Sequence, residues 1–119
     1  MALDETHHRL FVGCRKPPKM VVLDTGSGKL VASLHGCSDT DDLFYDAANK
    51  RVFLSGGAGC ISVFDQTNSD SYKQLPTINT PAGSPTSLFV PTSGTLYVAV
   101  PHRGAQKADM LVFKVEPKP

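Results

Sequence analysis

The side chains of this 119-residue sequence that could bind a metal, attack a substrate or move a proton include four histidines, three cysteines and eleven acidic residues. His7 and His8 are adjacent, which invites reading them as a metal pair. Neighbouring strand positions point to opposite faces, but these two lie in a turn where the next copy has Asn49-Lys50, so the pair reads as a solvated turn. Cys14, Cys37 and Cys60 lack the close CxxC or CxxH neighbours that zinc requires and read as three free, mostly buried thiols. Gly26-Ser27-Gly28-Lys29 has the look of a phosphate loop. A Walker A sequence also needs a glycine five residues before its Gly-Lys and a Ser or Thr after it, where this chain has Leu23 and Leu30. No helix follows whose N-terminus would hold phosphate, so the segment reads as a turn. In Ser55-Gly56-Gly57-Ala58-Gly59 the glycines permit an unusual backbone path, but no base stands nearby to activate a nucleophile.

Composition narrows the choice of partners. A hydrophobic content of 40% and a charged content of 19% are globular values. A net charge of +1 gives no electrostatic case for duplex nucleic acid or an anionic membrane surface. No apolar run approaches the roughly 18 residues of a membrane span. Met1-Ala2-Leu3-Asp4-Glu5 lacks the basic and then apolar regions of a signal peptide, which leaves localisation unknown.

The elements that must position these residues repeat. Arg9-Leu10-Phe11-Val12-Gly13, Arg51-Val52-Phe53-Leu54-Ser55 and Thr95-Leu96-Tyr97-Val98-Ala99 are three versions of one strand. Each precedes a second apolar run: Met20 to Asp24, Cys60 to Asp65 and Met110 to Lys114. A repeat in the low forties, built only from short strands and turns, marks a β-propeller blade. Each unit reads as four strands, A to D from inside to outside. The expected fold class is all-β: a propeller segment of three four-stranded blades, the last without its outer strand, since Pro117 and Pro119 in the final four residues forbid strand pairing. The whole chain forms one partial propeller domain with blades at approximately 1–36, 37–80 and 81–119, about eleven strands and no helix beyond a turn.

The stretch from Leu10-Phe11-Val12-Gly13-Cys14 through Val22-Leu23-Asp24-Thr25-Gly26-Ser27-Gly28-Lys29-Leu30-Val31 resembles the YVTN-repeat β-propellers of bacteria. The family's pattern is an aromatic strand, a Val-Asp strand end, a Thr-Gly turn and a Lys-Val-Val rim strand. Asp41 to Asp46, and Thr86 to Pro91 through Ala99 to Gly104, look like the last blades of such proteins. The resemblance implies the C-terminal three of about seven blades. It also implies an exported, periplasmic setting, because full-length relatives are generally exported. It implies no activity, since fold does not confer one.

Assigning loops to faces gathers the candidate site. In a blade the D–A and B–C connections share one face of the disc. That face collects Arg15, His35, Asp39, Asp41, Asp42, His102 and Arg103, with Lys16, Lys19 and Lys107 beside them, while the opposite face carries ordinary polar turns. The leading reading is a non-catalytic binding or scaffold module that recognises a small molecule or a protein through this face, with no cofactor, metal or catalytic residue assigned. Arg15, His102 and Arg103 would offer donors to an anion, and the aspartates would offer acceptors. The bland alternative is that these aspartates cap turns and pair with Arg15 or Arg103. A second alternative is a propeller lyase or hydrolase using a loop-face histidine and a divalent metal. A third is an excised or engineered blade-assembly fragment without a ligand. Apolar end faces predict self-association, favouring a head-to-tail homodimer unless the missing blades lie in a longer chain.

Overall fold

Short apolar runs separated by Gly, Pro, Asn and Asp turns leave pairing between neighbouring strands as the way to satisfy the backbone. A computed structural model describes residues 1–117, and among them it has twelve strands and no helix. The first sheet is β1 (Ala2–Asp4), β2 (Arg9–Cys14), β3 (Lys19–Asp24) and β4 (Leu30–His35), in that spatial order. The second is β5 (Thr40–Asp46), β6 (Arg51–Gly56), β7 (Cys60–Asn68) and β8 (Ser71–Gln74). A short strand, β9 (Ile78–Asn79), joins the second sheet by pairing with the start of β7. The third sheet has only three strands, β10 (Ser87–Val90), β11 (Thr95–Val100) and β12 (Asp109–Lys114). Every pairing is antiparallel. The all-β propeller-like segment is therefore present. Lys118 and Pro119, part of the tail expected to refuse pairing, lie outside the described residues.

The extra strand β9 has a local cause. Strand β7 is nine residues long, and its outer neighbour is interrupted at Pro76, which has no N–H to give the ladder. Leu75 still donates to Val63, and pairing resumes only at Ile78 and Asn79, opposite Ile61 and Cys60.

Side-chain alternation decides how the sheets stack. In β6, Val52 and Leu54 turn one way and Phe53 the other, and all three are buried. Val52 and Leu54 join Phe11, Met20, Val22, Leu43 and Phe64 in a core between the first and second sheets. Phe53 joins Ile61, Val63, Phe89, Leu96 and Val98 in a second core between the second and third. Phe11 packs on Tyr45 with ring centroids 5.0 Å apart, and Phe53 packs on Phe89 at 5.4 Å. The middle sheet is thus covered on both faces.

The outer sheets are covered on one. Leu3, Leu10, Leu23 and Leu30 stand opposite one another across β1 to β4, so four leucines line up on the uncovered face of the first sheet. Leu88, Tyr97 and Val112 form the corresponding row on the uncovered face of the third. Leu30 is 61% exposed and Val112 60%.

One sequence expectation is overturned. Cys37 and Cys60 form a disulfide, with Cα atoms 5.9 Å apart, and only Cys14 is a free thiol. The repeat spacing sets these two cysteines out of phase, in unlike places. That is why they meet: Cys37 lies on the connection entering the second sheet, and Cys60 opens β7 of that same sheet. Cys37 N–H donates to Ser62 Oγ at 2.9 Å, which holds the connection against β7.

The bridge closes a loop with a sequence separation of 23 residues. Replacing both cysteines by serine is expected to cost on the order of 3 kcal/mol. The urea midpoint should fall accordingly, and the wild-type chain should titrate one thiol, not three, when unfolded without reductant.

Candidate functional site

Three of the connections on the loop face bond to one another through backbone: β4–β5, β6–β7 and β9–β10. Gly57 N–H, in the β6–β7 loop, donates to the Asp39 carbonyl at 2.8 Å, and Gly83 N–H donates to the Gly57 carbonyl at 2.8 Å. Thr80 N–H donates to the Gly59 carbonyl at 2.9 Å. The connections into the second and third sheets are therefore stitched to the loop in the middle of the second. A Cβ on Gly57 would meet the Asp39 carboxylate, so a side chain there would require that exposed carboxylate to move aside. Gly83 has a φ of +82°, and a Cβ there would meet the Arg103 guanidinium. Asp39 and Arg103 thus lie directly over glycine backbone at the two sides of the central loop.

The candidate residues divide by what they touch. Arg15 Nε donates to the Thr40 carbonyl at 2.9 Å, and its guanidinium lies 3.3 Å from Asp39 Oδ1, both side chains being well exposed. An exposed pair of this kind contributes little stability, so it fixes the loops' relative position more than it holds the fold. Asp42 Oδ2 accepts the Ser87 N–H at 2.9 Å and ties the inner strands of the second and third sheets. Asp41 Oδ2 accepts from Thr86 Oγ1 at 3.4 Å on the same seam. Beneath them Ser55 Oγ donates to the Pro85 carbonyl at 2.6 Å and lies 2.7 Å from Ser87 Oγ.

His35 ends β4, exposed and opposite Lys19. His102 and Arg103 are exposed on the β11–β12 loop, whose backbone closes on itself through paired Arg103–Gln106 hydrogen bonds. Arg15 and Asp39 are thus brought together, as are Asp41 and Asp42 with the third sheet. His35 and His102 sit on different sheets. Among the described residues no three His, Cys, Asp or Glu side chains gather closely enough to hold a metal ion. Among the described residues no helix is long and apolar enough to cross a membrane.

The opposite face holds a network that residue types alone did not disclose. Asp4 is only 4% exposed at the end of β1. Its Oδ2 accepts from His7 Nδ1 at 2.8 Å and from Gln66 Nε2 at 3.0 Å, and lies 3.3 Å from the Tyr45 hydroxyl. Tyr45 donates to Gln66 Oε1 at 2.7 Å, and Tyr72 donates to the Ser69 carbonyl at 2.9 Å. Burial alone would raise the Asp4 carboxyl, but the hydrogen bonds from Gln66 and His7 outweigh it and hold it below the ordinary carboxylate value. Burial and the neighbouring Asp4 charge push the Tyr45 hydroxyl well up. The only sequence signal was the repeat of the turn: Asp46 holds Asn49 as Asp4 holds His7. Gln66 and Tyr72, from the next sheet, carried none.

Comparison with known proteins places the chain near one group. It is 29% identical over 110 residues to the uncharacterized protein YncE of Salmonella typhimurium strain LT2, and 28% identical over 110 residues to YncE of Salmonella typhi. These matches take in 92% of this chain and 30% of each relative. The chain thus spans about a third of the length of the curated relatives it matches. No family model matches it. Homology to YncE, a YVTN-type propeller protein, agrees with the three antiparallel sheets and with the resemblance read from the Leu10–Val31 stretch.

The depressed Asp4 carboxyl gives a signed prediction. A carboxyl whose pKa is lower folded than unfolded contributes stability above its unfolded value, about 3.9, and that stability is lost as pH falls through the lower folded value. Asp4→Asn should therefore reduce stability at pH 7 and flatten its dependence on pH as the solution is acidified below the ordinary carboxylate value. Denaturant melts of both proteins across that window measure it.

Proposed function

We propose that the chain is a non-catalytic binding module, a three-bladed portion of a β-propeller that presents its loop face to a small anionic molecule or to an acidic protein segment. The observation that carries this reading is the backbone stitching of that face. Asp39, Gly57 and Gly83 join the three central connections into one platform, the Cys37–Cys60 bridge fastens its centre, and Arg15 reaches it through the Thr40 carbonyl. A platform so held presents Arg15, His102 and Arg103 as exposed donors without requiring loops to be ordered on binding. Asp39 keeps Arg15 in place, and Gly83 seats Arg103. Asp41 and Asp42 serve the seam between the second and third blades, and His35 lies at the margin of the face. The disulfide favours an oxidising compartment such as the periplasm.

A panel of phosphate esters and small di- and tricarboxylates, screened by thermal shift, is the direct test. For an anion that binds, Arg103→Ala should weaken affinity by about 1.5–3 kcal/mol, the worth of a charge-assisted hydrogen bond, while leaving the melting temperature of the free protein nearly unchanged. Equal affinity of the two proteins by calorimetry would remove Arg103 from the site.

Self-assembly belongs to the same reading. The Leu3-Leu10-Leu23 row of the first blade stands in register where the second has Tyr45-Val52-Phe64, which is covered by a blade in front. Leu88-Tyr97-Val112 of the third stands where the second has Phe44-Phe53-Val63, which is covered by a blade behind. A groove of about 260 Å³ lined by Leu88, Tyr97 and Met110 marks that last surface. Two copies joined head to tail would close six blades, within the usual propeller range. Sedimentation at micromolar concentration should give a dimer, and Leu10→Asp with Tyr97→Asp should give a monomer. A wild-type chain that sediments as a monomer would defeat the assembly.

A further inference from the structure

Gly56 ends β6 between two neighbours, opposite Thr40 on one side and Cys60 on the other. The Cys37–Cys60 bridge passes across it. A Cβ on Gly56 would collide with the Ser38 carbonyl and the Cys37 sulfur, so the connection into β5 lies on bare backbone there. A Cβ on Gly36 would meet the Leu54 side chain. The bridge thus holds residues 36–39 against the second sheet with no space between them. Beyond it, Asp39 has a φ of 55°, a left-handed backbone that a residue with a Cβ adopts at a cost. In that conformation the Asp39 carbonyl accepts the Gly57 N–H at 2.8 Å, and Asp39 Oδ1 lies 3.3 Å from the Arg15 guanidinium.

The two cysteines differ in access. Cys37 is 5% exposed, whereas Cys60 is half-buried where the central loop enters β7. A thiolate arriving from solvent therefore reaches the Cys60 sulfur first, and Cys37 is the leaving group. Sulfurs that are no longer bonded must part to van der Waals contact. Gly56 leaves no slack beneath Cys37, and the Cys37 N–H stays tied to Ser62 Oγ. The displacement therefore falls on the next two residues, Ser38 and Asp39. Their hold on the central loop is the weakest part of the platform. The Ala58 N–H reaches the Ser38 carbonyl only at 3.4 Å, and the Asp39 backbone is already in a costly conformation.

We propose that the bridge is a redox-modification site, a latch that a protein dithiol of the Cys-x-x-Cys kind opens from the Cys60 side, releasing Ser38 and Asp39 from the central loop. A thiolate of the dithiol attacks the Cys60 sulfur, the bond to Cys37 breaks, and Cys37 leaves as a thiolate that takes up a proton. The second sulfur of the dithiol, itself a thiolate, then attacks the mixed disulfide and expels Cys60, which is protonated in turn. The bridge gains two electrons and two protons, and the dithiol is oxidised to its own disulfide. With Asp39 released, Arg15 loses the carboxylate that holds it and keeps only the Thr40 carbonyl. The consequence for binding rests on the loop face being an anion platform, whereas the latch itself does not.

The test uses the full chain with Cys14→Ser, so that only the bridge responds, and reduced thioredoxin as the dithiol probe. Alkylation and mass spectrometry follow the opening, hydrogen exchange follows the amides, and citrate serves as the anion. The opening rate should rise with thioredoxin concentration and stay constant across low urea, because no global unfolding is needed. In the reduced chain the Gly57 and Ala58 amides should exchange about tenfold faster, while the β6–β7 ladder keeps its protection. Cys37→Ser with Cys60→Ser should exchange like the reduced chain and ignore thioredoxin. Citrate affinity should fall about tenfold on reduction, because the platform must then be ordered on binding. The latch is overturned if opening follows global unfolding as urea is added, a measurement that holds even where the reduced chain folds poorly. It is overturned as well if Gly57 and Ala58 exchange equally in the two states, or if the whole second sheet loses protection together, which would make the bridge a staple of the fold. Equal, measurable citrate affinity in the two states also overturns it. Should citrate and the other anions bind neither state, the anion reading fails, and exchange at Gly57 and Ala58 decides the latch by itself.

Discussion

A sheet that is apolar on both faces needs a neighbour on each side, and the rest of this structure follows from that requirement. Strand β6 shows it most plainly: Val52, Phe53 and Leu54 are consecutive and all buried, which only a strand between two layers can achieve. The flanking sheets obey the same rule on one side only, and their outward rows of leucine and of Leu88, Tyr97 and Val112 remain in water. Singly exposed apolar residues are ordinary on a protein surface. Rows of them in register across a whole sheet are the pattern of a surface meant to be covered.

Apolar stacking sets the distance between sheets but not their lateral position, and polar contacts supply that. Asp42 to Ser87 N–H fixes the second sheet against the third near the inner strands, and Arg15 to the Thr40 carbonyl fixes the first against the second. A carboxylate accepting a partly buried N–H contributes more than an exposed ion pair, so Asp42 carries more of this work than Arg15 with Asp39. The same comparison sorts the loop face. Asp42 is engaged in holding the fold, whereas His102 and Arg103 stay exposed on a loop whose backbone is already closed through Gln106.

The strands and their order were legible in the sequence because period-two alternation and turn residues are local signals. Phe11, Phe53 and Tyr97 recur at one register, and the structure keeps them there. The strand β9 was not legible, since the outer strand reads as ending at Leu75 before Pro76, and two residues beyond a proline carry no alternation of their own. The disulfide was not legible either. Cys37 and Cys60 occupy different kinds of position in the repeat, and their meeting depends on how a connection crosses the second sheet. At the candidate site, the sharing of one face by Arg15, Asp39 and Arg103 followed from topology, but their seating on Gly57 and Gly83 depends on loop paths that no spacing specifies. Asp4 passed as an ordinary turn residue because its decisive partners, Gln66 and Tyr45, belong to another sheet.

The contrast between Asp4 and Asp46 explains why the two interfaces differ in polarity. Both aspartates are buried, and both close the turn that follows them. Asp46 takes the Asn49 N–H at 3.2 Å and Nδ2 at 2.9 Å, so its carboxylate is satisfied largely within its own turn. Asp4 draws further donors from the next sheet, and a polar side chain, Gln66, is therefore needed there. Where Asp46 asks for no such help, the corresponding place can be apolar, and the chain has Val115. The first interface is consequently a hydrogen-bonded cluster sealed by Tyr72, and the second is a hydrocarbon-lined cleft with Phe53, Leu96 and Phe113 for walls. Arg51 Nε, at the edge of that cleft, is buried and has no hydrogen-bond partner among the described residues.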